Sequence, residues 1–227
     1  TRWNCDWSSD VCSSDLTDAG VYLVRAYASG SGTNAFKAFV ILPKEIDAPV
    51  FAPSGYEYNG NRQEYEIALS DSAAINVLSV GCGVRRDNGK VYVYATDANE
   101  SGYEITFRLS SGNYVWKGKT GDDSTADITG NKWIIRKAAD EITFAADTVA
   151  LANGVEYGVD YTPDAEAKFR GQVYYFYFKG DGKPAAGDAG WSNVKPVNAG
   201  NYWIKATTSN TANYNGGTAI VKLVITP

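Results

Sequence analysis

The sequence has no histidine and no methionine among its 227 residues, and it has only three cysteines. Without histidine, the chain cannot build Ser-His-Asp or Cys-His nucleophile systems or place an imidazole on a metal ion. Carboxylate catalysis remains, and it needs two acids about 5 to 9.5 Å apart across a cleft. The acids that could serve lie at turns or on alternating strands, where acids usually provide solubility: Glu100, Glu104, Asp122 and Asp123. We therefore expect no enzyme activity, no metal site and no cofactor.

Two further features are missing, and each excludes a class of partner. The net charge is −5, or −3 without residues 1–16, and lysine and arginine form no cluster. Because a phosphate backbone is bound through clustered cations, we expect no nucleic-acid partner. No apolar run approaches the roughly 18 residues of a membrane helix, so we expect no membrane insertion by this segment.

Residues 1–16, TRWNCDWSSDVCSSDL, differ in composition from everything that follows. They lack the apolar run of about 7 to 15 residues that a secretory signal needs. Cys5 and Cys12 have no histidine to complete a zinc site. The string DWSSDVCSSDL resembles the translated end of a common short-read sequencing adapter. We interpret residues 1–16 as a disordered assembly artefact, with a native disordered polar leader as the alternative.

This interpretation has two consequences for the rest of the chain. A reading frame that begins in adapter-like sequence and has no methionine is expected to be an internal fragment of a longer protein. Only Cys82 then remains as a native cysteine, which excludes an internal disulfide framework.

Internal repeats are the most informative feature of the remaining 211 residues. Residues 17–44 and 197–227 both read Asp/Asn-Ala-Gly-x-Tyr, then an alternating strand, a Gly/Asn/Ser loop and a second apolar strand. Residues 98–138 form a third copy with a longer loop. We therefore predict a truncated repeat over 17–46 and complete repeats over 47–138 and 139–227. With roughly 30 residues, the truncated repeat is too short to bury a core and should fray or lean on a neighbour.

Hydrophobic periodicity and turn residues predict the fold. Val91, Val93 and Ala95 alternate with tyrosines, which is typical of a strand with one buried face. Asn-Gly and Asp-Gly pairs favour tight turns and predict hairpin tips at Gly60, Gly89, Gly154 and Gly182. The alanine-rich segment 137–154 keeps a spacing of two, so we predict two strands there. The period of about 90 residues indicates tandem immunoglobulin-like β-sandwiches, an all-β fold.

Residues 139–227, EITFAADTVALANGVEYGVDYTPD and onwards to PVNAGNYWIKATTSNTANYNGGTAIVKLVITP, resemble the bacterial immunoglobulin-like repeats called MBG domains. Residues 17–46 resemble the tail of a preceding copy. Residues 47–138 depart from the pattern, with Gly102 directly before Tyr103 where the other copies have Gly-x-Tyr. The resemblance implies tandem repeats of large surface proteins and adhesins. Tyr22 and Tyr202 resemble the tyrosine corner of Greek-key sandwiches, a structural role.

Aromatic residues are the only candidates for ligand contact. In QVYYFYFKG (172–180), alternate residues point to opposite faces, and a two-layer sandwich buries one face. We interpret these aromatics as interdomain packing or ordinary strand aromatics. The alternative is a glycan site, in which Tyr175 and Tyr177, with Trp191 and Trp203, form an exposed platform on which a sugar ring stacks.

The sequence thus favours a structural spacer or stalk in a bacterial cell-surface or secreted adhesin-like protein. Its expected partners are neighbouring repeats of the same chain, and its expected location is extracellular. The alternatives are a carbohydrate-binding module that grips a polysaccharide or host glycan, and an accessory part of a carbohydrate-active enzyme.

Overall fold

The computed structural model describes residues 16–27, 30, 32–169 and 171–227. Of the predicted artefact 1–16, residues 1–15 lie outside the described residues. The chain divides into two compact units, the first formed by the described part of 1–54 with 62–95 and 102–133. The second is formed by 55–61, 96–101 and 134–227. The second unit therefore includes two short segments of the predicted repeat 47–138.

The described residues are mostly strands. Ten lie wholly or mostly in the first unit: β1 (Gly20–Tyr27), β2 (Asn34–Ile41), β3 (Lys44–Ile46), β4 (Gln63–Ile67), β5 (Ile75–Val80), β6 (Gly83–Asp87), β7 (Lys90–Ala95), β8 (Asn99–Leu109), β9 (Tyr114–Trp116) and β10 (Ile128–Ile135), with a 3₁₀ turn at Gly121–Ser124. The second unit contains β11 (Ala138–Ala139), β12 (Ile142–Phe144), helix α1 (Ala146–Ala150), a 3₁₀ turn at Leu151–Asn153, β13 (Val155–Glu156), β14 (Ala165–Ala167), β15 (Tyr174–Lys179), β16 (Gly200–Thr207), β17 (Tyr214–Asn215) and β18 (Thr218–Thr226).

The first unit has two three-stranded sheets, in the orders β4-β7-β6 and β10-β8-β5. Val91 and Val93 of β7 are fully buried, as the alternation predicts, and so are Phe107 of β8 and Trp133 of β10. Each large buried side chain stabilises the fold by about 1.5 to 3 kcal/mol relative to leaving it in water. The β1–β2 hairpin contributes little to this core, since Val21 is 76% exposed and Leu23 is 65% exposed.

The second unit is built on the four-stranded sheet β13-β18-β16-β15, with the small pairs β12-β14 and β11-β17. Alternate residues of β16 point inward, so that Tyr202 and Ile204 join one buried cluster with Leu223 and Ile225 of β18. Leu151 and Phe144 pack against this cluster from the segment that precedes β13. The all-β, immunoglobulin-like class predicted from the sequence is confirmed.

Two local predictions need correction. The segment 137–154 is not two strands: β12 forms as predicted, but α1 and a 3₁₀ turn occupy Ala146–Asn153. Alanine has the highest helix propensity, and Asp147 lies in the first turn, where the helix dipole favours a carboxylate. In this stretch those preferences outweigh the weak spacing of two.

Of the predicted hairpin tips, Asn88–Gly89 is confirmed: both residues have positive φ and join β6 to β7. Gly60 lies in a bend before β4, so it joins no two paired strands. Gly154 ends a 3₁₀ turn, and Gly182 lies in a long loop between β15 and β16. Asparagine or aspartate before glycine therefore marks a turn at each place, but the tight hairpin forms only where two strands flank it directly.

Candidate interaction surfaces

The two faces of the aromatic strand β15 are reversed relative to the prediction: the face that was expected to be exposed is the buried one. Tyr177 is 7% exposed and belongs to the buried cluster of the second unit, and Tyr175 packs against that cluster. Burial raises the pKa of both phenols. The cause is the register with β16, because Tyr177 lies opposite the fully buried Ile204. The expectation that Tyr175 and Tyr177 form the exposed face is therefore wrong.

The outward face of β15 and β16 carries the other aromatics. Phe178 lies opposite Trp203, and Phe176 lies opposite Lys205. Trp191 approaches Phe178 with ring centres 5.5 Å apart and planes tilted by 60°. The ammonium of Lys205 lies 4.6 Å from the Trp191 ring centre, a cation–π distance. Together these residues form the outward cluster: Phe176, Phe178, Trp191, Trp203 and Lys205.

Backbone from the 180–191 loop holds the two tryptophans of the outward cluster. The Trp191 indole donates to the Ala185 carbonyl at 3.0 Å, and the Trp203 indole donates to the Gly180 carbonyl at 3.2 Å. The predicted platform residues are thus divided, with two tyrosines inward and two half-buried tryptophans outward. A stacking platform for sugar needs flat, exposed rings, and a 60° tilt between Trp191 and its neighbour does not provide one.

A cavity of about 320 Å³ opens at one end of the second unit. Exposed apolar side chains surround it, with Tyr157 62% exposed and Val197 66% exposed. The ammonium of Lys195 lies 2.5 Å from the carboxylate of Asp160, and this pair lowers the pKa of the Asp160 carboxyl through the hydrogen bond. The remaining lining residues belong to segments 155–161 and 195–197 and to β18: Val155, Glu156, Gly158, Val159, Tyr161, Pro196 and Ile225.

The tyrosines that resemble a tyrosine corner make matching contacts. The Tyr202 hydroxyl donates to the Asn198 carbonyl at 3.0 Å, and the Tyr22 hydroxyl donates to the Asp18 carbonyl at 2.7 Å. In each case the acceptor lies four residues upstream, in the pair of residues that precedes the strand. We call this pair, Asp or Asn followed by Ala, the corner. The tyrosine fixes the backbone of the corner from the inside.

An asparagine side chain holds the corner Asp18–Ala19 within the first unit. The Asn113 side-chain oxygen accepts from the Ala19 N–H at 2.6 Å, and its amide nitrogen donates to the Asp18 carboxylate at 2.8 Å. The turn is braced because the Asn113 N–H donates to the Ser111 hydroxyl at 3.2 Å. We call this arrangement the Asn113 bridge.

The same arrangement recurs within the second unit at the corner Asp97–Ala98. The Asn213 side-chain oxygen accepts from the Ala98 N–H at 2.8 Å, and its amide nitrogen donates to the Asp97 carboxylate at 3.0 Å. The Asn213 N–H donates to the Thr211 hydroxyl at 3.3 Å. This is the Asn213 bridge, built from the same Ser/Thr-x-Asn-Tyr turn.

A short parallel strand pair accompanies each bridge. β3 runs parallel to β9, and β11 runs parallel to β17. The main-chain carbonyls of Asn113 and Asn213 accept from the N–H groups of Lys44 and Ala138, at 2.8 and 3.0 Å. Each Ser/Thr-x-Asn-Tyr turn therefore binds two pieces of chain: the corner of the preceding predicted repeat, and the segment that follows that repeat's last strand. Neither bridge was predicted from the sequence.

An aromatic contact completes the second arrangement. Tyr214, which follows Asn213, packs edge-on against Tyr58 at 5.1 Å and stacks on Phe169 at 3.7 Å between ring centres. The Tyr58 N–H donates to the Arg136 carbonyl at 2.8 Å, at the end of β10. All of these residues lie in the second unit.

Three other features were sought in the part of the chain that the structure describes: metal-binding groups, membrane-spanning helices and reactive thiols. Within it, no group of three or more Asp, Glu or Cys residues lies close enough to hold a metal ion. Also within it, no helix is long and apolar enough to cross a membrane. Cys82 is half-buried and unpaired, and burial raises the pKa of its thiol.

Comparisons with known proteins add little to this geometry. No family model matches the chain, and no curated protein matches it. A solved structure of the N-terminal four Ig domains of Dscam1 isoform 4.44 aligns with 92% of this chain and 60% of that chain, at 14% identity. Its TM-score of 0.23 carries no argument about function. The immunoglobulin-like description therefore rests on the sheets of the two units.

Proposed function

We propose that this chain is a spacer segment of a bacterial cell-surface or secreted adhesin-like protein. The Asn113 and Asn213 bridges carry the proposal, since each ties a complete predicted repeat to the corner of the repeat before it. A spacer has to keep the domains at its two ends a set distance apart. That requires joints whose backbone is held by specific bonds, and free glycine- or serine-rich linkers do not provide them.

The connectivity of the chain supports the same role. Segments 55–61 and 96–101 belong to the second unit, while the stretches on either side of them belong to the first. The backbone therefore passes between the units at five places, after residues 54, 61, 95, 101 and 133. A single flexible linker would pass once. This connectivity differs from that of two modules joined by one tether.

The placement of the aromatics also favours a spacer over a glycan-binding module. A binder predicts a coplanar, exposed set of rings, whereas Tyr177 is 7% exposed and Trp191 is tilted by 60° from Phe178. The indole groups of Trp191 and Trp203 already donate to loop carbonyls. These contacts give the aromatics a packing role in the second unit.

A distance measurement tests the proposal. Spin labels are introduced through an unnatural amino acid at the exposed residues Glu100 and Lys183, both in the second unit, on either side of the Asn213 bridge. We expect one narrow distance distribution in the full chain, and a broader one when Asn213→Ala removes a bridge. Asn201→Ala is the matched control, because Asn201 makes one exposed bond to Asp181 in the same unit. A broad distribution in the unmodified chain would contradict the spacer proposal.

A further inference from the structure

The corner Asn198–Ala199 is the third copy of the feature that the two asparagine bridges hold. Its tyrosine corner is formed, since the Tyr202 hydroxyl donates to the Asn198 carbonyl at 3.0 Å. Its outer side is unoccupied by the described residues: none of them hydrogen-bonds the Asn198 side chain or the Ala199 N–H. Asn198 and Ala199 are exposed, whereas Ala19 and Ala98 are half-buried beneath their bridges.

The surroundings of this corner reproduce those of the bridged corner in the second unit. The Tyr157 N–H donates to the Thr226 carbonyl at 2.8 Å, as the Tyr58 N–H donates to the Arg136 carbonyl at 2.8 Å. The parallel pairing of Glu156 with Thr226 likewise matches the parallel bridge of Glu57 with Arg136. Tyr157 is therefore the structural counterpart of Tyr58, one repeat later.

The two tyrosines differ in what covers them. Tyr58 is half-buried and packs against Tyr214, the residue that follows the bridging Asn213. Tyr157 is 62% exposed, at the rim of the cavity that also includes Val197. Val197 directly precedes the corner, so the exposed ring, the cavity and the free corner form one continuous surface. We call it the corner surface: Tyr157, Val197, Asn198 and Ala199.

We propose that the corner surface is a docking site for a Ser/Thr-x-Asn-Tyr turn of another repeat of this class. The asparagine oxygen of the incoming turn would accept from the Ala199 N–H. Its amide group would bond the side-chain oxygen of Asn198, and the following tyrosine would pack against Tyr157. The side chain of Asn198 can accept as Asp97 does, because an amide carbonyl replaces a carboxylate oxygen. This inference rests on the proposed spacer function and names the partner of its free joint.

The chain itself provides the probe. Ile135 and Ile225 occupy equivalent places near the ends of β10 and β18, so Pro227 corresponds to Lys137, the residue before Ala138. We therefore append a second copy of residues 138–227 directly after Pro227 of the full chain. Amide hydrogen exchange is then measured by NMR at Ala199, with Ala98 of the same molecule as the internal reference for a bridged corner.

We expect the appended copy to slow exchange at Ala199 by about tenfold or more, as a hydrogen-bonded and partly covered amide requires. The matched control carries alanine in place of the Asn213 of the appended copy only, and it should leave Ala199 exchanging as in the original chain. Equal exchange at Ala199 in all three proteins would overturn the proposal. Equal slowing with and without that asparagine would also overturn it, since the cover would then be nonspecific.

A second variant guards against misfolding of the appended copy. Residues 44–137 are appended after Pro227 instead, which presents the Ser111-x-Asn113-Tyr114 turn, with Asn113→Ala in the appended copy as its control. Slowed exchange at Ala199 that depends on the appended asparagine supports the docking site; folded appended repeats that leave Ala199 unprotected refute it. The label-distance experiment addresses residues 100 and 183 within the second unit of the chain without an appended copy, so the spacer proposal can stand or fall separately.

Discussion

Replacing Asn213 with alanine should weaken the second unit by about 2 kcal/mol. The change removes the 2.8 Å bond from the Ala98 N–H and the 3.0 Å bond to the Asp97 carboxylate. A neutral hydrogen bond contributes about 0.5 to 1.5 kcal/mol net, and the exposed bond to a carboxylate contributes about 0.5 to 1 kcal/mol after solvent screening. The backbone bonds of Asn213 remain available to alanine, so the turn itself should persist.

Urea unfolding followed by tyrosine and tryptophan fluorescence measures this loss. With a slope of about 2 kcal/mol per molar urea, a loss of about 2 kcal/mol lowers the midpoint by about 1 M. Asn201→Ala in the same unit removes one exposed bond to Asp181 and should cost less than about 0.5 kcal/mol. If both variants shift the midpoint equally, the Asn213 bridge has no special role and the reasoning fails.

Replacing Asn213 with aspartate tests separately the two hydrogen bonds of this bridge, one to the Ala98 N–H and one to the Asp97 carboxylate. Asn213→Asp keeps an oxygen for the Ala98 N–H but places a carboxylate where an amide lies 3.0 Å from Asp97. Two like charges at that distance repel at neutral pH, and a proton shared between them relieves the repulsion. We therefore expect the variant to be less stable than the unmodified chain at pH 7, with a smaller difference at about pH 3. A stability difference that does not change with pH would show that the hydrogen bond to the Asp97 carboxylate contributes nothing.

Three further predictions concern single residues. Tyr202→Phe should cost about 0.5 to 1.5 kcal/mol in urea unfolding, since it removes only the bond to the Asn198 carbonyl, and an unchanged midpoint would contradict a tyrosine corner. Gly216→Ala should destabilise the second unit by more than about 1 kcal/mol, because an added Cβ would come within 2.2 Å of the Thr208 carbonyl oxygen; wild-type stability would show that the turn relaxes freely. Peptide-resolved alkylation of Cys82 should be slower at pH 8 than in the urea-unfolded chain and should rise with pH, because burial raises its pKa; equal rates in both states would refute this.

Much of the fold could be predicted from sequence because local patterns determine it. Val91, Val93 and Phe107 follow a spacing of two, and each is fully buried. The turn at Asn88–Gly89 forms because two alternating strands meet it on either side. The helix at Ala146–Ala150 was mispredicted because alanine is compatible with either structure, and the few apolar residues there fit both spacings.

The facing of β15 could not be predicted, because aromatic residues occupy both of its faces. Tyr177 lies inward only because its register places it opposite Ile204 of β16, and the two residues are separated by a long loop. Where both faces are apolar, alternation does not indicate which one is buried. The predicted glycan contacts Tyr175 and Tyr177 depended on that choice.

The bridges were missed for a different reason. Asn113 contacts Asp18 across 95 residues, and Asn213 contacts Asp97 across 116, so no local pattern joins the partners. A signal was nevertheless present. SGNYVW and TANYNG both place Asn-Tyr two residues after a serine or threonine, at corresponding positions of consecutive repeats. An asparagine that recurs with its hydroxyl residue in successive repeats is a candidate for a residue that joins distant segments of the chain.

The most direct test of the account is amide hydrogen exchange at Ala19 and Ala98 in the full chain and in two single variants. We expect both amides to be protected in the unmodified chain, Asn113→Ala to release Ala19 alone, and Asn213→Ala to release Ala98 alone. Fast exchange at either alanine in the unmodified chain, or release of both by one variant, would contradict the claim that each asparagine holds one corner.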